Sequence, residues 1–115
     1  MQTPRAFREE LRSLMEEAKR FLDDIRYYDV TSSAYLQIFI SQKVHQLEGM
    51  DLQLEEYEKD PKAADLENMY QVFRDVKSDI YVAFKKWKMQ VEYKYKGLKS
   101  RFGKLYYVTS MGQQR

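Results

Sequence analysis

The residues best suited to chemistry lie in the last third of the chain, where lysines and rings alternate: Lys85, Lys86, Trp87, Lys88, Tyr93, Lys94, Tyr95, Lys96, Lys99, Arg101, Phe102 and Lys104, with Tyr106 and Tyr107 beyond them. Cationic side chains neutralise phosphates or carboxylates, and aromatic faces stack on bases or pack on apolar groups. Residues 85–115 carry nine Lys/Arg against a single acid, Glu92, whereas residues 1–84 carry 17 Asp/Glu against 11 Lys/Arg. The net charge of +2 conceals this polarity. A chain so divided points to an acidic partner for its basic part.

On a helix, Trp87, Val91, Tyr95, Leu98 and Phe102 form one apolar stripe, with lysines on the arcs beside it. Such a basic amphipathic helix suits an acidic protein surface, a second copy of the chain or an anionic membrane surface. The same side chains suit nucleic acid, although no helix-turn-helix spacing, zinc finger or RNP pattern accompanies them. A plainer alternative is that Trp87, Val91 and Leu98 extend a hydrophobic core while the lysines stay in water. The residues expected to touch a partner or nucleic acid are Lys85, Lys88, Tyr93, Lys94, Tyr95, Lys96, Lys99, Arg101, Phe102 and Lys104.

Elsewhere the chemistry is sparse. His45 is the sole histidine and cysteine is absent, so a Cys/His pair is excluded and a Ser-His-Asp set would have to use His45. That histidine sits among Lys43, Val44 and Gln46 and reads as a surface or boundary residue. A bundle di-metal site wants Glu three residues before His, and Gln42 stands there. Glycines 49, 97, 103 and 112 form no phosphate-binding fingerprint. The doublets Glu9–Glu10, Glu16–Glu17 and Asp23–Asp24 alternate with basic residues and read as a solvated, salt-bridged face. Catalysis would survive only through a carboxylate buried inside the fold. The expectation is a non-catalytic protein without metal, cofactor or small-molecule substrate. No apolar run approaches the ~18 residues of a membrane span, and the charged first ten residues hold no signal-peptide core. A cytoplasmic protein is therefore expected.

The elements that would position these residues are helices. Phe7, Leu11, Leu14, Ala18, Phe21, Ile25 and Tyr28 step alternately by four and three, which predicts one helix over 4–28. Thr3 suits its cap and Pro4 its first position. Arg5/Glu9, Arg12/Glu16 and Lys19/Asp23 are i,i+4 pairs on its outer side. Residues 29–33 read as a break, and a second helix follows over about 33–59 on Leu36, Ile40, Leu47, Met50, Leu54 and Tyr57. Its start, Tyr35–Ile40, is unusually apolar, with Ile38 and Phe39 off the stripe. Gly49 is a candidate kink, and Asp60–Pro61 ends the element. A third helix is expected over about 62–96 on Leu66, Met69, Phe73, Val76, Ile80, Ala83 and Trp87, flanked by Tyr70, Lys77, Phe84 and Val91.

The fold class predicted is all-α: three long helices in a coiled-coil-like antiparallel bundle (residues 1–96), then a basic aromatic extension (97–115) with a short irregular tail. The third helix, roughly 35 residues against roughly 25, would protrude by about 15 Å, with the unmatched length starting near Trp87–Lys88. Leu105–Thr109 has strand propensity. The function expected is an adaptor or inhibitor that docks an acidic protein or self-associates through the basic end; the alternative is a nucleic-acid-binding module. Two basic ends repel, so self-association is expected head to tail, as a salt-sensitive dimer.

Overall fold

The computed structural model describes residues 3–28, 30–62 and 65–95. They form α1 (Pro4–Tyr27), α2 (Ser33–Lys59) and α3 (Leu66–Lys94), and among the described residues there is no strand. Local chemistry sets the ends. Thr3 is extended, and its hydroxyl accepts the Ala6 N–H at 3.1 Å, while Pro4 occupies the first turn, where its missing donor costs nothing. The α1–α2 connection folds around a buried serine: Ser33 Oγ accepts the Val30 N–H at 2.9 Å and donates to the Tyr28 carbonyl at 3.3 Å. Asp60, extended before Pro61, ends α2. The third helix starts later than expected, at Leu66, because the Asp65 carboxylate caps it by accepting the Asn68 N–H at 3.2 Å.

Helices α1 and α3 run one way and α2 the other. Arg8, early in α1, meets Asp51 and Glu58 late in α2. Ser32 before α2 donates to Gln90 late in α3 at 2.8 Å. Phe7 packs on Tyr70 and Phe73, start against start. This is the expected antiparallel three-helix bundle, 51 × 26 × 16 Å.

The four-three stripes supply the core. Phe7 through Tyr28 of the first stripe are all buried, as are Leu36, Ile40, Leu47, Met50 and Leu54 of the second, joined by Val44. On α3, Met69, Phe73, Val76, Ile80 and Trp87 are buried and Leu66 only partly so. The row flanking that stripe turns out to be the side of α3 that faces α1: Phe84 and Val91 are buried, and Lys77 bonds Glu10 at 3.1 Å. Ring centroids of Phe7–Phe73, Phe21–Phe84 and Phe21–Trp87 lie 5.3, 5.4 and 5.2 Å apart. Such pairs add ~0.5–1.5 kcal/mol each beyond the area they bury.

This packing corrects where free length begins. Trp87 and Val91 are fully buried, and half-buried Tyr95 sets its ring 5.9 Å from that of Tyr28. With its late start α3 has 29 residues against 24 and 27, and the bundle covers it through Val91. The expected extension (97–115) and the strand-prone Leu105–Thr109 lie outside the described residues.

A second correction concerns the acidic doublets. Their first members, Glu9, Glu16 and Asp23, are exposed as expected. Their second members, Glu10, Glu17 and Asp24, each lie three residues after a core residue and turn inward. Glu10 accepts hydrogen bonds from Lys77 Nζ at 3.1 Å and Tyr70 Oη at 3.4 Å, Glu17 is half-buried, and Asp24 is 5% exposed. Arg5–Glu9 forms the expected i,i+4 pair at 3.5 Å, but Arg12 reaches across to Asp51 at 3.3 Å instead of Glu16.

Burial works to lower the Arg8 pKa, but the hydrogen bonds and charges of Asp51 and Glu58 outweigh it and raise it. Burial first, then the charge and hydrogen bond of Glu10, raise the Tyr70 pKa above the ordinary phenol value. A raised folded pKa means that the native state holds the proton more tightly, so Tyr70's contribution is intact below a pH of about 10 and lost as pH climbs through its folded value. Urea midpoints should therefore fall in alkali, and fall less for Tyr70→Phe. An identical alkaline slope in both proteins would contradict the assignment.

Helix α2 runs through Gly49 without interruption, and a Cβ built there meets nothing within 4 Å. Gly49→Ala should accordingly stabilise the protein by roughly 0.5–1 kcal/mol, measured by denaturant unfolding, because only the helical entropy cost of glycine is removed.

Candidate docking surface

Helix phase divides the basic aromatic stretch in two. Trp87 and Val91 point inward, as the plainer reading of that stripe has it, whereas Lys85, Lys86, Met89 and Tyr93 point outward. Lys85 Nζ lies 5.5 Å from the Tyr81 ring centre. Lys88 is half-buried and bonded to Glu92 at 2.9 Å. Tyr93 is 86% exposed. Exposed Lys94 lies 5.2 Å from the ring centre of Tyr95, which itself packs on the core. Lys96, Lys99, Arg101, Phe102 and Lys104 fall outside the described residues.

The antiparallel order brings the end of α1 and the start of α2 to the same end as these residues. Tyr27, Tyr35 and Ile38 are exposed there, and Val82, Met89 and Tyr93 of α3 are exposed in the same half of the bundle. Among the described residues, the only other large exposed apolar side chains are Leu52 and Val72, in the opposite half. Tyr35 stacks on Phe39 with centroids 6.1 Å apart, and Lys43 sits 5.0 Å from the Phe39 ring while reaching Asp79 at 3.1 Å. Reading the sequence missed Tyr27, Tyr35, Ile38, Val82 and Met89 as surface candidates. The signal available was the apolar excess of Tyr35–Ile40 outside the stripe.

Charge follows the same axis. The half built from residues 3–16 and 47–79 holds 13 acidic and seven basic residues. The half built from 17–46 and 80–95 holds eight basic and five acidic residues. Exposed apolar groups and excess positive charge therefore share one end.

The chain matches no known protein family, no curated protein and no solved structure. What it can do must come from this geometry. Exposed aliphatic and aromatic groups among lysines can bind, since burial of apolar area supplies affinity and the charges supply orientation and rate. Features suited to bond-making are few. His45 is exposed, with Nδ1 3.5 Å from Glu48. No cluster of three or more His, Asp or Glu able to hold a metal occurs among the described residues. Asp24 is the buried carboxylate that a catalytic reading would require, and it belongs to the Glu10–Glu17–Asp24 column, whose first member is a structural partner of Lys77 and Tyr70.

Proposed function

We propose that this protein is a non-catalytic interaction module, of adaptor or inhibitor type, that docks an acidic protein surface through the end of the bundle where α1 stops, α2 starts and α3 finishes. That surface belongs either to another protein or to a second copy of the chain. The observation carrying this reading is the coincidence, at one end, of six exposed apolar side chains with the basic residues of α3. Lys85, Lys86 and Lys94 would meet carboxylates, and Tyr93 and Met89 would bury apolar area; Lys96, Lys99, Arg101, Phe102 and Lys104, also proposed to touch the partner, lie outside the described residues.

Nucleic acid is the second reading, favoured by Tyr93, an 86% exposed ring next to Lys94 and suited to stacking a base. The aliphatic members favour a protein partner. Ile38, Val82 and Met89 neither stack on bases nor neutralise phosphates, and they gain most by burial against a protein, at ~25 cal/mol per Å². The described helices include none long and apolar enough to cross a membrane; a cytoplasmic site of action is part of the proposal. The test is direct titration of fluorescent acidic polypeptides and of oligonucleotides with the full-length protein. Binding to the polypeptides supports the proposal, and binding to oligonucleotides alone replaces it with the second reading.

A further inference from the structure

The docking reading leaves the acidic surface unnamed, and the bundle itself carries one. We infer that a second copy of this chain is the partner, its acidic end seated against the basic aromatic end of the first. This rests on the docking reading and goes further by naming the partner and both faces. The basic face is centred on Lys86, Met89 and Tyr93 of α3, the latter two 71% and 86% exposed. The acidic end exposes Leu52 and Glu56 of α2 and Glu67 of α3. Leu52 is 64% exposed, so this face also has apolar area to bury.

Two physical arguments select this pairing. Joining two basic ends or two acidic ends sets like charges together, whereas head to tail sets an excess of carboxylates against an excess of lysines. The acidic face is also not spent within the molecule: Arg8 is held by Asp51 and Glu58, while Glu56 and Glu67 remain exposed. The faces lie in opposite halves of a molecule 51 Å long, so the contact joins unlike surfaces. Such a contact joined end on adds further copies as concentration rises, whereas two chains side by side and antiparallel make both contacts at once and stop at a dimer.

Sedimentation velocity of the full-length protein across a concentration series, near 0.1 M and near 1 M salt, tests the inference, because the screening length falls from ~10 Å to ~3 Å between them. Two variants replace only exposed side chains: Lys86→Gln/Met89→Gln/Tyr93→Gln on the basic face, and Leu52→Gln/Glu56→Gln/Glu67→Gln on the acidic face. The native protein should associate at low salt, with an association constant about tenfold or more lower at high salt. Each variant alone should be monomeric, and an equimolar mixture should form a one-to-one heterodimer and nothing larger, since one intact face of each kind remains. A native protein monomeric at both salts, a variant that associates like the native chain, or a mixture without heterodimer overturns the inference. A monomer that still binds an acidic polypeptide removes the self-partner and leaves the docking reading standing; a monomer that binds none removes both.

Discussion

Replacing Trp87 by alanine is expected to cost about 3–5 kcal/mol of folding stability, much of the ~5–15 kcal/mol that holds a domain of this kind together. The indole is fully buried, with Phe21 at 5.2 Å and Tyr28 and Phe84 each at 6.2 Å between centroids. It joins the end of α1 to the end of α3, and removing it leaves a cavity that the neighbouring rings fill only in part. Lys86→Ala, one residue earlier and exposed, should stay within ~0.5 kcal/mol. Chemical denaturation of both variants gives the comparison. Equal stabilities would mean that Trp87 faces solvent and belongs to the docking surface, contrary to the packing described above. As the sole tryptophan, its fluorescence should also be that of an indole shielded from water.

The second large effect is on binding. Lys85→Glu, Lys86→Glu and Lys94→Glu together should weaken binding of an acidic polypeptide roughly 100-fold, since each reversal removes an attraction and adds a repulsion of up to about a tenfold effect. Folding should be little changed, because all three side chains are exposed. The control is Arg5→Glu, at the far end, where Arg5 is 91% exposed and serves only a pair with Glu9. Arg12 is unsuitable for that purpose: it bonds Asp51, and a glutamate there would oppose a carboxylate. Equal losses from the triple variant and from Arg5→Glu would place the binding surface elsewhere.

The contrast between these two predictions marks what could be read from the sequence. Stripes and caps are local, so α1 and α2 fall within a residue of their expected limits, and every stripe residue except Tyr57, Leu66 and Ala83 is buried. The start of α3 was misplaced because Pro61 is an acceptable first helical residue, and Asp65, a better cap, lies only four positions on. The remaining differences depend on how the helices stand beside one another, which periodicity within one helix does not encode. Glu10 turns inward because α3 brings Lys77 and Tyr70 to that side, and Arg12 prefers Asp51 across the gap to Glu16 on its own helix. The grouping of exposed apolar residues was illegible for the same reason: Tyr27, Tyr35, Ile38 and Met89 are far apart in the chain and share one half of the molecule only when three helix ends are brought level.

The most direct test of the docking surface is a competition at near-physiological salt between a labelled acidic polypeptide containing apolar residues and a single-stranded oligonucleotide of equal charge, both offered to the full-length protein. The account predicts that the polypeptide is held more tightly, and that Met89→Gln with Tyr93→Gln weakens it more than it weakens the oligonucleotide. Tighter binding of the oligonucleotide, or no effect of the two substitutions on the polypeptide, would contradict it.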